Sequence, residues 1–372
     1  TKTYRAMAGE VAVERTVYRK SGEHNAPLVC PLELLWGMVD GGWTPRAARA
    51  MSHVGQQMPY KKARETAREM GCLPYGSSSF ERMTRRVGER LDECVDAIDD
   101  AVTQACECVD KADCIAVSVD DRVAVAFDEA EPAGWRDARQ ACGEMHYRMA
   151  WCATVALCDA SGEPIWTRRY GQTPTDDARD RLGERLQRDV RRLRERDDTL
   201  DVIALSDGAR ELGEMLDHYI VEPAFSGDAV RLVDAWHLFS YLASALEAHY
   251  GPDSEEVDKQ MAAWRLELMN EPEFIDIIRI QMRLWDDRDT VVDGDKPIEQ
   301  ALTYIDNHRE QMNYARHRTR GRPVGTGHVE ATCKSVVQLR MKRNGQYWKQ
   351  QGAQAVMQLR SLALSDGWEA GI

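Results

Sequence analysis

The segment GTGHVEATCK, residues 325–334, decides how the rest of this chain is interpreted. A glycine-containing turn leads into a predicted helix whose first turn carries one carboxylate, Glu330. The residues behind it are basic and include Lys334, Arg340, Lys342 and Arg343. A lone acid in a basic, glycine-opened helix is expected where a carboxylate holds a metal ion beside a polyanion. The other carboxylates that join it should therefore lie at strand ends elsewhere in the chain.

Two acids stand at the ends of predicted strands. A β-branched run at 114–119 ends in Asp120 and Asp121, and an apolar strand at 201–206 ends in Asp207. The order β-β-β-α-β-α-β, then a helical block and the helix of Glu330, is that of the ribonuclease H-like fold. We therefore predict an α/β protein with a mixed five-stranded sheet. Its first strand and the strand after its first helix should lie side by side and parallel, which brings Asp120 close to Asp207.

Three carboxylates supply oxygen ligands, which suit Mg²⁺ or Mn²⁺ better than zinc. We predict that Asp120, Asp207 and Glu330 are catalytic and bind two such ions. Two ions about 3.5–4 Å apart activate a water or a 3′-hydroxyl and stabilise the leaving oxygen of a phosphoryl transfer. Asp121 either points to the opposite face of the strand or is an additional acid beside the metal.

Asp234 and His237 follow the next core strand and have two interpretations. The pair binds metal, or the aspartate accepts a hydrogen bond from the imidazole and braces the exit of the strand. We favour the structural brace.

The composition is that of a soluble protein with a polarised charge. The 372 residues carry a formal charge of −13, which by itself argues against nucleic-acid binding. From residue 309 to residue 349, however, ten Lys and Arg face only two acids, whereas 91–113 is strongly acidic. No apolar run approaches the about 20 residues of a membrane span, and no secretion signal opens the chain. We expect a cytoplasmic, nucleoid-associated protein whose ten cysteines are reduced.

The N-terminal part predicts a small β-hairpin followed by helices. Thr44 and Pro45 start a helix, and two short helices with a glycine-containing turn suggest a helix-turn-helix with Arg82, Arg85 and Arg86 on its second helix. A plain three-helix packing unit with solvated arginines is the alternative. A single amphipathic helix is predicted at 87–109. Trp348 either stacks on a base or packs in the core. The remaining predicted phosphate contacts are Arg316, Arg318, Arg320, Lys334, Arg340, Lys342 and Arg343.

The chain resembles insertion-sequence transposases of the ISKra group, in the DDE superfamily with a ribonuclease H-like fold. The matching stretches are Ser118-Val119-Asp120, Leu205-Ser206-Asp207-Gly208-Ala209, Val233-Asp234-Ala235-Trp236-His237, the segment at 325–334 and the tail from Arg340 to Gly345. The resemblance implies Asp120, Asp207 and Glu330 as the catalytic triad and a multimer on paired ends of double-stranded transposon DNA. It also implies an all-helical insertion. Asp121 departs from it, since the family usually has glycine there.

The expected organisation has five segments. They are an N-terminal hairpin and loop (1–43), a helical DNA-binding and connector domain (44–112), the first part of the catalytic core (113–237), the helical insertion (238–312) and the last part of the core (313–372). The leading hypothesis is a DNA transposase that cuts transposon ends and joins them to target DNA. The alternatives are an inactive or domesticated DNA-binding relative and a ribonuclease H-like nuclease without strand transfer.

Overall fold

The computed structural model describes residues 1–22, 25–128, 145–223, 229–343 and 345–371. A two-stranded antiparallel hairpin and a five-stranded sheet account for the extended segments. The strands are β1 (Lys2–Ala6), β2 (Gly9–Val13), β3 (Cys114–Asp128), β4 (Met145–Cys158), β5 (Pro164–Gln172), β6 (Asp201–Ser206) and β7 (Ala229–Val233).

Helices make up most of the rest of the described chain. They are α1 (Pro31–Leu35), α2 (Pro45–Gln57), α3 (Tyr60–Glu69), α4 (Ser77–Glu93), α5 (Val95–Gln104), α6 (Ala178–Arg196), α7 (Arg210–Leu216), α8 (Ala235–Tyr250), α9 (Glu255–Asn270), α10 (Phe274–Arg283), α11 (Pro297–His308), α12 (Tyr314–Arg318), α13 (Gly327–Thr332), α14 (Leu339–Met341), α15 (Gln350–Leu364) and α16 (Trp368–Gly371). Short 3₁₀ turns lie at Val109–Lys111 and Arg309–Gln311, and π-helical turns at Asp217–Val221 and Cys333–Gln338. No helix of the described residues is long and apolar enough to span a bilayer.

The five-stranded sheet is mixed, as predicted, with the order β5-β4-β3-β6-β7. Strand β3 pairs antiparallel with β4 and parallel with β6, and β7 is parallel to β6. The prediction that the strands before Asp120 and Asp207 are parallel neighbours is confirmed. This strand order is consistent with a ribonuclease H-like arrangement.

Different helices cover the two faces of the sheet. On one face, Ile115 and Val117 of β3 pack against the apolar stripe of α6, which includes Leu186. On the other face, Val123 and Val125 pack against α15 and the segment that follows Glu330. Because side chains alternate along a strand, β3 supplies both cores and fixes the position of its acids between them.

The helices from α8 to α12 have a separate hydrophobic core, which includes Leu242, Trp264 and Ile305. The predicted interruptions near residues 251–253 and 292–297 both occur, since α8 ends at Tyr250 and α11 begins at Pro297. A further break separates α9 from α10, where Glu273 has a positive φ of 62°.

The N-terminal helices share a core with the C-terminal helix α15. The crossing of α4 and α15 is close, because a Cβ on Gly88 would lie 2.4 Å from the Cβ of Ala355. The prediction of one helix over 87–109 was wrong: the helix ends at Glu93 and a second one begins at Val95. The N-terminal hairpin turns at residues 7–8.

Candidate functional site

A β-bulge in β3 sets the direction of its acids. Asp120 pairs with Cys152 and Val123 pairs with Ala150, so β3 has one more residue than β4 between these two pairs. Cys152 and Ala150 lie two residues apart and share a face, so Asp120 and Val123 share that face as well. This is the face covered by the segment of Glu330. The bulge therefore places Asp120 beneath Glu330 while keeping its side chain almost fully buried.

The three predicted acids converge on the guanidinium of Arg122. Nε and Nη2 of Arg122 donate to Oδ2 of Asp120 at 2.9 and 2.6 Å, and Nη2 donates to Oε1 of Glu330 at 3.0 Å. Nε lies 3.9 Å from Oδ2 of Asp207. The hydrogen bond with Asp120 raises the pKa of Arg122 above its ordinary value, so the side chain is a permanent cation. One positive group thus links acids from β3, from the end of β6 and from α13.

Asp207 is held by its own turn and by the helical block. Its Oδ1 accepts from the N–H of Ala209 at 2.9 Å, and its carbonyl accepts from the Tyr304 hydroxyl on α11 at 2.9 Å. Gly208 has a φ of +92°, and a Cβ there would lie 2.9 Å from the Tyr304 ring. A residue other than glycine would strain this turn and push Tyr304 away. The helical block therefore contributes directly to the placement of Asp207.

Glu330 lies in α13 behind the glycine turn, and its side chain is 51% exposed. The neighbouring Val329 and Thr332 are buried and anchor the helix on the sheet. A π-helical turn follows at once, which buries both Val336 and Val337. Glu330 is therefore attached to a fixed helix while its carboxylate reaches the open side of the site.

Asp234 is the brace that positions the turn before Glu330. Its carboxylate accepts from the Thr326 hydroxyl at 2.9 Å and from the N–H groups of Thr326 and Trp236 at 3.3 and 3.1 Å. The partner differs from the predicted one, because His237 instead lies edge-on to the rings of Tyr241 and Tyr304. Asp234 thus ties the end of β7 to the segment at 325–334, while His237 packs against the helical block.

Asp121 belongs electrostatically to the same acidic group. Burial raises the pKa of its carboxyl, and the charges of Asp207, Asp120 and Glu211 raise it further. Of the two alternatives for Asp121, these shared charges favour the additional acid beside the other three. Several acids surround one guanidinium, so the site attracts cations.

The donor chemistry of the site fits a hard divalent cation, because all three predicted ligands are carboxylates. Their present spacing is set by Arg122. Within the described residues, no group of three or more His, Cys, Asp or Glu is placed to hold a metal ion, and this includes the cluster of Cys106, Cys108 and Cys114. Metal ligation by these acids requires the guanidinium to leave.

Sequence reasoning missed Arg122 altogether. The available signal was a cation directly after two acids, in a run that is otherwise apolar. The regular alternation of a strand does not predict the contact of Asp120 with Arg122, because it occurs at the bulge, where Asp120 and Val123 share a face.

Two predicted DNA contacts are buried and do not suit that role. Arg340 is 1% exposed, donates to the Gly55 carbonyl at 3.3 Å and lies over the rings of Tyr60 and Trp348. Trp348 is 6% exposed, and its indole N–H donates to the Met341 carbonyl. Both side chains are packed inside the protein. Neither is therefore placed to contact a phosphate or a base, and this corrects their assignment as DNA contacts.

The other predicted contacts are on the surface. Arg82 lies 3.3 Å from Asp40, and Arg85 and Arg86 lie 3.5 and 3.2 Å from Glu89. These arginines face away from the buried side of α4, a position that suits either interpretation of the helix. The predicted contacts of the C-terminal part that are exposed are Arg316, Arg318, Arg320, Lys334, Lys342 and Arg343.

Comparison with known proteins does not identify a family for this chain. No protein-family model matches the chain, and no curated protein matches it. Among solved structures, the chain is similar to the Drosophila P element transposase strand transfer complex, with 12% identity over 86% of this chain and 79% of that chain. The TM-score of 0.33 is too low for this likeness to define the fold.

Proposed function

We propose that the chain is a metal-dependent DNA transposase of the DDE type, which cleaves transposon ends and joins them to target DNA. The observation that carries the proposal is the convergence of Asp120, Asp207 and Glu330, which are separated by long stretches of sequence, on one guanidinium. The strand order of the sheet supports a ribonuclease H-like core, in which acids at these positions meet. Membership of the ISKra group belongs to the same proposal.

Each acid has a different part in the proposed site. Asp120 is buried and keeps a hydrogen bond from the backbone N–H of Arg122 at 2.7 Å, so its position is fixed. Asp207 is fixed by its turn and by Tyr304. Glu330 is half-exposed and able to adjust to the substrate. Two Mg²⁺ or Mn²⁺ ions held by these carboxylates would activate the attacking water or 3′-hydroxyl and stabilise the leaving oxygen.

Double-stranded DNA is the proposed partner, despite the overall negative charge. Lys334, Lys342 and Arg343 are exposed and follow Glu330 in sequence, so they are suited to phosphates next to the acids. Exposed Arg316, Arg318 and Arg320 extend the basic segment. Action on paired DNA ends requires two active sites, so a homodimer or larger homo-oligomer is part of the proposal.

A second candidate is an inactive relative that binds DNA without cutting it. The specific observation in its favour is Arg122, whose guanidinium pairs with Asp120 and Glu330 and lies between the acids. A third candidate is a nuclease that lacks strand transfer. Metal-dependent cleavage separates the second candidate from the other two, and joined products separate the transposase from the nuclease.

The test compares the full chain with Glu330→Gln on a duplex that carries the inverted repeats flanking the gene, in Mg²⁺ or Mn²⁺. We expect cleavage to fall at least about 100-fold, because a metal ligand is lost, while DNA affinity changes less than about twofold. Glu310→Gln is the matched control, since this glutamate is exposed and belongs to the basic segment. Undiminished cleavage by Glu330→Gln would remove the assignment of the three acids.

A further inference from the structure

The contacts of Arg122 carry an inference that rests on the proposed function and deepens it. We propose that Arg122 is a ligand for a DNA phosphate, and that the three acids pair with its guanidinium until DNA is present. Without DNA, its guanidinium occupies the space between Asp120, Asp207 and Glu330. When DNA binds, the guanidinium exchanges these carboxylates for a backbone phosphate, and the acids become free for the divalent cations.

The geometry permits this exchange without movement of the sheet. The Arg122 side chain is 41% exposed, whereas those of Asp120 and Asp207 are 4% and 12% exposed. The guanidinium therefore lies at the open side of the acids and is free to leave by rotation of its own side chain. Asp120 stays in place, because its Oδ1 also accepts from the backbone N–H of Arg122.

The chemistry requires a new partner for the guanidinium. An arginine side chain does not lose its proton in proteins, so deprotonation does not release Arg122 from the acids. Phosphate oxygens accept from a guanidinium with the same forked geometry as a carboxylate. DNA is rich in such oxygens and lies beside the acids in the proposed complex.

Charge balance also requires a new partner for the acids. Removal of the guanidinium leaves Asp120, Asp121, Asp207 and Glu330 as neighbouring negative groups, which repel one another. Divalent cations are the replacement that the donor set favours. Departure of Arg122 and entry of the ions are thus coupled, and the exchange predicts that DNA and metal strengthen each other's binding reciprocally.

The experiment measures Mn²⁺ affinity by calorimetry for the full chain and for Arg122→Gln, with and without a non-cleavable duplex. Without DNA, we expect Arg122→Gln to bind Mn²⁺ about tenfold more tightly than the unaltered chain, because the competing cation is gone. Addition of duplex should strengthen Mn²⁺ binding by the unaltered chain about tenfold but change Arg122→Gln little. Arg283→Gln is the control, since this arginine lies on α10 in the helical block, is 45% exposed and pairs with Asp306 of α11.

The outcomes separate this inference from the function on which it rests. Equal, measurable Mn²⁺ affinity of the unaltered chain and Arg122→Gln would overturn the role of Arg122 and leave the proposed metal site standing. No Mn²⁺ binding by either protein, with or without DNA, would overturn both. If Arg122→Gln does not fold, the unaltered chain alone decides: an Mn²⁺ affinity that is the same with and without duplex would contradict the exchange.

Discussion

Replacement of Asp99 by Asn should destabilise the protein by about 3 kcal/mol. Asp99 lies on α5, is fully buried and accepts from one arginine of β5 and one of α6. Nη2 of Arg168 donates to it at 2.5 Å, and Nε and Nη2 of Arg185 donate at 2.8 and 2.9 Å. The substitution removes the charge while keeping the size of the side chain. It therefore tests how firmly the N-terminal helices are joined to β5 and α6.

The magnitude follows from the burial of the partners. Loss of one member of a buried ion pair costs about 3–5 kcal/mol, because the remaining charge has no counter-charge. Here the side chain of Arg168 is 3% exposed and that of Arg185 is 14% exposed. A nearby acid offsets part of the cost: burial and the charge of Asp99 raise the pKa of Asp189 to about 6, so Asp189 is ionised at pH 7 and neutralising Asp99 removes a repulsion between the two carboxylates. This places the expected loss at the lower end of the range.

The assay is urea unfolding at pH 7, followed by circular dichroism and tryptophan fluorescence in parallel. Asp96→Asn is the matched control, because Asp96 is on the same helix and pairs with Arg188, but its side chain is 67% exposed. Surface pairs of this kind contribute about 0–1 kcal/mol. A loss for Asp99→Asn no larger than that for Asp96→Asn would refute the claim that a buried ion network joins these helices to the sheet.

Two further predictions concern pH and DNA binding. The pKa of Asp189, which accepts from the Tyr170 hydroxyl, is raised to about 6 from 3.8, so the folded chain keeps a proton that the unfolded chain loses between these values. The free energy of unfolding should therefore fall as pH rises from about 4 to about 6, by up to about 3 kcal/mol. Urea unfolding of Asp189→Asn across this range should lack that decrease. The same pH slope in both proteins would contradict this role of Asp189. Arg340→Ala should lower the free energy of unfolding by about 2–4 kcal/mol and leave the salt dependence of DNA binding unchanged. Lys342→Ala should instead reduce the slope of log affinity against log salt concentration by about 1, with little effect on stability. Stability is measured by urea unfolding, and DNA binding by fluorescence anisotropy at several salt concentrations. The reverse pattern would support Arg340 as a phosphate contact.

The sheet and the approximate place of its acids were accessible from sequence because they depend on local patterns. The β-branched run before Asp120 and the apolar strand before Asp207 have the period and length of buried strands. The sequence Asp-Ala-Ser-Gly at residues 159–162 is typical of a hairpin turn, and in the structure it joins β4 to β5, where Asp159 accepts hydrogen bonds from the N–H groups of Ser161 and Glu163. The break at Cys94 was not predicted, because the apolar spacing continues through it from α4 into α5.

The sequence does not show which basic side chains are exposed and which are buried. Lys342 and Arg340 lie two positions apart in one charged run, yet one is exposed and the other is buried against Tyr60 and Trp348. Which side of α14 is covered depends on α2 and on the C-terminal segment with Trp348, which come from opposite ends of the chain. A charge run in sequence carries no information about such a distant partner.

The sequence alone determined the order of strands and helices, because hydrophobic period, turn residues and strand-end acids are local properties. It also determined that the strands of Asp120 and Asp207 are neighbours, but the prediction that Asp120 ends its strand was wrong: Asp207 follows β6, whereas Asp120 lies at a bulge within β3. Only the tertiary structure decided that a bulge turns Asp120 towards Glu330, that Arg122 fills the space between the acids, and that Asp234 anchors Thr326 rather than His237. These features depend on contacts between residues up to 208 positions apart, whose geometry is set by packing of the whole chain.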